Sequence, residues 1–151
     1  MTRDDCRFCR GLAHYQRMTA TPEPQPLGGM FVADLPASVA VLSADQYYRG
    51  YTIVIAKTHA TELFQLSDAD GDAFVGDMRR VARAVAEAFA ARKMNYELLG
   101  NTVPHLHWHV VPRYDWDENP KRPIWEHEHE PRLLETAAYE EIAAAIRARL
   151  G

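Results

Sequence analysis

Apolar positions recur along the chain with two different periods, and the change of period divides it into helices and strands. Phe74, Val75, Met78, Val81, Ala82, Val85 and Phe89 recur at intervals of three and four, the spacing of one helix face. Asp77, Arg80, Arg83 and Glu87 fill the other side. Ser67 is a good N-cap, and Asp68 and Asp70 place negative charge where the helix dipole favours it. A long amphipathic helix is therefore predicted from Asp68 to near Arg92. A second stripe, Leu134, Tyr139, Ile142, Ile146 and Leu150, predicts a C-terminal helix over 134–150.

Strand signals flank the long helix. Residues 31–33 and 38–42 carry short apolar, β-branched runs, and YTIVIA at 51–56 is bounded by Gly50 and Lys57. Its unbroken apolar run suggests a central strand. Beyond the helix, residues 95–99 and 105–112 read as two more strands separated by a turn at Gly100. Residues 45–50 read as a turn. TPEPQPLGG at 21–29 reads as a loop, and 115–125, with two prolines, as an irregular arm. Strands before and after one long helix give an α+β class. One domain is expected over 1–151, with an irregular N-terminal segment 1–30 and a C-terminal arm and helix over 114–151.

Composition narrows the picture. Over 151 residues the chain is 47% hydrophobic and 25% charged, a balance that opposes disorder or a fibrous repeat. Its longest apolar runs fall far short of the roughly 20 residues a membrane helix needs. MTRDDCRFCR lacks the apolar core of a secretory signal, so the cytoplasm is the expected location. A net charge of −4 opposes binding to a nucleic acid polymer, which needs a basic surface.

The candidate chemistry sits in HLHWHVVP. Alternation along a strand puts His105, His107 and His109 on one face and Leu106, Trp108 and Val110 on the other. Successive imidazoles are then roughly 6.6–7 Å apart, a spacing that suits neighbouring atoms of a phosphate chain. Metal binding is an open alternative, since His-x-His on a strand also occurs in three-His zinc sites. Gly100, Asn101 and Thr102 add a turn with two small polar side chains beside the imidazoles.

GNTVPHLHWHVVPR resembles the signature of the histidine triad (HIT) superfamily, His-x-His-x-His followed by apolar residues after a polar turn. The resemblance runs from about Ser38 to Arg113, roughly half the chain, through IVIAKTH, the long helix and the triad strand. Cys6 and Cys9 extend it to the N-terminus of many bacterial members. It implies an antiparallel sheet of about five strands, commonly in a homodimer, and a nucleotidyl hydrolase or transferase. His107 would attack the α-phosphorus of a dinucleoside polyphosphate or nucleoside monophosphate derivative, forming a covalent nucleotidyl-histidine. By the same resemblance His109 contacts the phosphate or leaving group, and Asn95, Asn101 and Thr102 donate to phosphate or ribose. Asp45 is a candidate for the ribose hydroxyls, with capping of the 45–50 turn as the equal alternative. A non-catalytic nucleotide-binding protein on the same scaffold is the alternative. Two positions depart from the family pattern: Asn101 replaces the usual Gln, and Tyr51 stands where relatives carry a fourth histidine. Lys57, Arg113 and the pair Lys121 and Arg122 are cations that could offset charge near a polyphosphate.

Cys6 and Cys9 have the CxxC spacing of two zinc ligands. The resemblance completes a Cys2His2 structural zinc site with His59 and His105. That divides the triad, with His105 on metal and His107 left as nucleophile. The charged run EHEHE, holding His127 and His129, is expected to be solvated.

Overall fold

A computed structural model describes residues 3–15 and 30–151. The loop expected at 21–29 lies outside the described residues. The elements are α1 (Arg7–Tyr15), β1 (Phe31–Asp34), β2 (Ser38–Leu42), β3 (Thr52–Ala56), α2 (Asp68–Phe89), β4 (Lys93–Glu97), β5 (His107–Arg113) and α3 (Thr136–Arg147). All five strands pair antiparallel in one sheet of order β1-β2-β3-β5-β4. The expected α+β architecture, with its long and C-terminal helices, is present.

The apolar run of β3 is explained by cover on both sides. Val54 joins Val110, Phe74, Val81, Val85, Ile142 and Ile146 under α2 and α3. Ile53 and Ile55 point the other way, toward Phe8, Leu12, Val39 and Val41. The second cover is α1, a correction to the irregular segment expected over 1–30. Phe8 and Leu12, four residues apart, supply its buried stripe.

Ser67 caps α2 as expected, its hydroxyl accepting from Asp70 N–H at 3.2 Å. The helix stops at Phe89, short of Arg92, because Ala90 takes a left-handed conformation at φ 51° and turns the chain toward β4. Asp77, expected on the solvent side, is 3% exposed. Its carboxylate accepts from Ala37 N–H at 2.9 Å and the buried Ser38 hydroxyl at 2.8 Å, satisfying two donors at the β1–β2 turn.

The 45–50 turn is wired by Gln46, whose amide donates to Ser43 and Tyr51 carbonyls and accepts from Gly50 N–H. Gly50 has φ 92°, and a Cβ there would lie 2.6 Å from the Phe89 ring. This rigid turn delivers Tyr51 to the start of β3. Among the described residues no helix is long and apolar enough to cross a membrane.

Candidate active site and metal centre

β5 begins at His107, two residues later than expected. His105 N–H closes a tight turn onto Val103 C=O at 2.8 Å, and Leu106 N–H donates to Ala60 C=O at 2.8 Å, so His105 is outside the ladder. The imidazoles nevertheless share a side of the sheet. Phe8 of α1 meets the His105 ring at 5.7 Å and the His107 ring at 4.8 Å. His107 and His109 lean together, their centroids 4.8 Å apart, closer than the pleat alone would set them.

His107 is buried, and its Nδ1–H donates to the His105 carbonyl at 2.6 Å. That bond fixes the tautomer and leaves the Nε2 lone pair for chemistry. Burial pulls the His107 pKa below the usual imidazole value, so the pair is not lost to a proton near neutrality. Burial and the neighbouring His107 pull His109 down to about 4. His109 Nδ1 lies 2.5 Å from the Tyr51 hydroxyl. Glu97 is opposite His109 on β4, and Trp125 meets His109 edge to face, their ring centroids 5.1 Å apart, while its indole N–H bonds the Glu97 carboxylate.

Cys6, Cys9, His59 and His105 converge, with one donor atom from each within 4.8 Å of the others. Cys6 accepts the first helical bond of α1, from Arg10 N–H, so Cys6 and Cys9 occupy one turn and present both thiols together. His105 Nδ1 is 3.4 Å from Cys6 Sγ, 3.5 Å from Cys9 Sγ and 3.2 Å from His59 Nδ1. A tetrahedral zinc with ordinary bond lengths sets ligand separations of roughly 3.3–3.8 Å. His105 Nε2–H donates to Ala56 C=O at 2.8 Å, which turns the Nδ1 lone pair into the cluster. Burial and the adjacent Cys6 push the Cys9 thiol up to about 11. The donor set fits a closed Cys2His2 metal site.

The other expected site residues are dispersed. Asn95, on β4, gives its carbonyl oxygen to Arg113 at 2.5 Å. Asn101 and Thr102 are exposed in the turn before His105. Asp45 accepts from Tyr47 N–H, Arg132 N–H and His129 Nε2–H at 2.8–2.9 Å, so it anchors the C-terminal arm. Two cations are corrected. Arg113 is buried and spends its guanidinium on Asp117, Asn95 and the carbonyls of Asn119 and Arg122; Lys57 pairs with Asp34 at 2.7 Å. The EHEHE run is also not simply solvated: His127 and His129 stack at 5.6 Å, with Tyr47 4.1 Å from His129. Phe8, Glu97 and Trp125 were not singled out from the sequence, because each reaches the triad from a distant element.

This sheet, with paired imidazoles on its fifth strand, defines a histidine triad architecture. The HIT domain family matches residues 29–116, and the chain belongs to the HIT family. It is 31% identical over 81 residues to Protein hit of Bacillus subtilis, covering 50% of this chain and 56% of that protein. It is 26% identical to adenosine 5'-monophosphoramidase hnt1 of Schizosaccharomyces pombe, covering 54% and 62%. Against AP-4-A phosphorylase of Mycobacterium tuberculosis the figures are 27% identity, 69% and 56%. The matches thus span less than two thirds of these relatives' lengths. Among solved structures, a histidine triad protein from Bradyrhizobium japonicum superposes with TM-score 0.73 at 25% identity, covering 82% of this chain and 92% of that one. A zinc-bound histidine triad family protein from Mycobacterium smegmatis superposes with TM-score 0.67 at 24% identity, covering 99% and 95%.

Proposed function

We propose that this chain is a nucleotidyl hydrolase or transferase acting at the α-phosphate of a dinucleoside polyphosphate or nucleoside monophosphate derivative. The observation that carries the reading is the His107 Nδ1–H bond to the His105 carbonyl. It leaves Nε2 as an oriented neutral nucleophile. Nε2 attacks the α-phosphorus, the bond to the leaving group breaks with its electron pair, and water or another acceptor then takes the nucleotidyl group. His109 stands next along the strand, on the leaving-group side. The exposed Asn101 and Thr102 and the Asn95 amide supply donors to phosphate or ribose. Asp45, bound to the arm through three of about four lone-pair sites, keeps one on Oδ2 for a ribose hydroxyl. The names of the two enzymatic relatives, a monophosphoramidase and an AP-4-A phosphorylase, agree with this class of substrate.

Cys6, Cys9, His59 and His105 would hold a structural zinc, as the name of the Mycobacterium smegmatis neighbour suggests. Bound there, it would neutralise two thiolates and tie α1 to the sheet. A homodimer, in the cytoplasm, is the proposed assembly.

The test is intact-protein mass spectrometry after incubation with diadenosine tetraphosphate and, separately, with an adenosine phosphoramidate. An adenylyl adduct is expected on the native chain and none on His107→Asn, whose turnover should fall on the order of 10³-fold or more. Undiminished turnover in that variant would sink the mechanism. Nucleotide affinity with no turnover in the native chain would instead favour the binding-protein reading, for which the tyrosine at position 51 speaks.

A further inference from the structure

We propose that Tyr51 is a positioning residue: its phenol donates to His109 Nδ1 and thereby keeps the ring proton on Nε2, making His109 a neutral hydrogen-bond donor beside the His107 electron pair. The geometry is a 2.5 Å contact between Tyr51 Oη and His109 Nδ1, with Tyr51 only 7% exposed. Among the described residues that imidazole nitrogen is the hydroxyl's hydrogen-bond partner. Were Nδ1 to carry the proton, the phenol would have to accept and its own buried O–H would be left without an acceptor. The tyrosine is held stiffly. Its carbonyl accepts from Ser43 N–H and the Gln46 amide, and its N–H donates to Tyr48 C=O. Its ring packs with Val111 and Ile124.

Burial drives the Tyr51 phenol far above its ordinary range, so the hydroxyl keeps its proton. The groups facing His109 are Tyr51 ahead of β3, His107 on its own strand, Glu97 on β4 and Trp125 from the arm. Two neighbouring imidazoles therefore hold opposite tautomers. His107 is pinned through Nδ1–H to a carbonyl, and His109 is pinned through a bare Nδ1 to a phenol.

This inference rests on the nucleotidyl-transfer reading and narrows its substrate class. A neutral Nε2–H can hydrogen-bond a leaving oxygen that departs as a phosphate anion, taking the P–O electron pair and needing no proton. A departing amine must gain a proton. From a neutral imidazole that transfer leaves an imidazolate, or a buried phenolate if Tyr51 refills Nδ1, and both are unfavourable charges. Polyphosphate leaving groups should therefore be handled well and amine leaving groups slowly.

The experiment is nitrogen-15 NMR of histidine-labelled protein, with the His109 signals assigned from their loss in His109→Gln. Native His109 should show a protonated Nε2 and an unprotonated Nδ1 from pH 5 to 8. Tyr51→Phe keeps the ring in its packing and should shift the His109 nitrogens toward exchange between tautomers; a thermal melt verifies that it is folded. Tyr51→His should raise the phosphoramidate rate at least tenfold relative to the diadenosine tetraphosphate rate. A native His109 protonated on Nδ1, nitrogens unmoved in folded Tyr51→Phe, or an unchanged rate ratio in Tyr51→His would each overturn the proposal. The predicted tautomer without any adenylyl adduct on either substrate would remove the nucleotidyl-transfer reading while leaving the hydrogen-bond assignment standing.

Discussion

His105, His107 and His109 differ in what holds one nitrogen of each ring: the Ala56 carbonyl, the His105 carbonyl and the Tyr51 phenol. One acid-stability prediction follows from His109, which is held near 4 against an ordinary 6.5. Between those values the unfolded chain binds a proton that the native chain refuses. Stability contributed by this ring is complete above 6.5 and is lost as pH falls toward 4, with a limiting slope of about 1.4 kcal/mol per pH unit. Urea unfolding from neutral pH to about 4 should show a shallower loss in His109→Gln than in the native protein. Equal slopes would mean that the ring is already solvated. The identity of the triad was legible in the sequence because alternation on a strand has a strict period. The partners of its rings were not, since Tyr51 and His109 lie 58 positions apart. Arg113 illustrates the same limit: a lone arginine at a strand end reads as a phosphate ligand until four of its five N–H donors are found turned inward.

At the scale of elements, α2 and the strands were legible because long periodic or β-branched runs have one cheap way to bury themselves. α1 was not, since among its described side chains Phe8 and Leu12 are the large apolar anchors, and tertiary contacts decide the conformation of so short a segment. β4 sits two residues earlier than expected because its register is imposed by β5, with Lys93 opposite Arg113 and Glu97 opposite His109. The end of α2 carries a usable defect. Ala90 is the only non-glycine with positive φ among the described residues, and left-handed alanine is strained by roughly 1–2 kcal/mol. Ala90→Gly should raise unfolding stability by about 0.5–1 kcal/mol, after subtracting the added freedom of the unfolded glycine. Chemical denaturation measures it, and a destabilised variant would show that Ala90 packs better than its backbone suggests.

Over the whole molecule, the sheet separates two duties. One face packs against α2 and α3; the other carries the imidazoles beneath α1. The arm beyond β5 closes the far end of that face, with Trp125 on His109 and Asp45 tied to His129 and Arg132. Its composition read as irregular, and only the folded chain shows how firmly it is anchored. The cluster of Cys6, Cys9, His59 and His105 joins the parts. Elemental analysis should find one zinc per chain, and its removal should lower the melting temperature by roughly 10 °C or more, the equivalent of about 3 kcal/mol at this size. Metal-free protein with an unchanged melt would count against the site.

The cluster also has a consequence in time. Cys6 and Cys9 are neighbours from the moment the chain is made, but Cys6 and His105 are 99 positions apart, and Cys9 and His59 are 50 apart. Two of the four donors cannot find the others until long loops have closed, and loop closure slows assembly. Full-affinity zinc capture should therefore lag the first recovery of tryptophan fluorescence during refolding. A zinc-responsive dye followed in the same stopped-flow experiment would make metal uptake the clock that marks the final docking of the N-terminal helix.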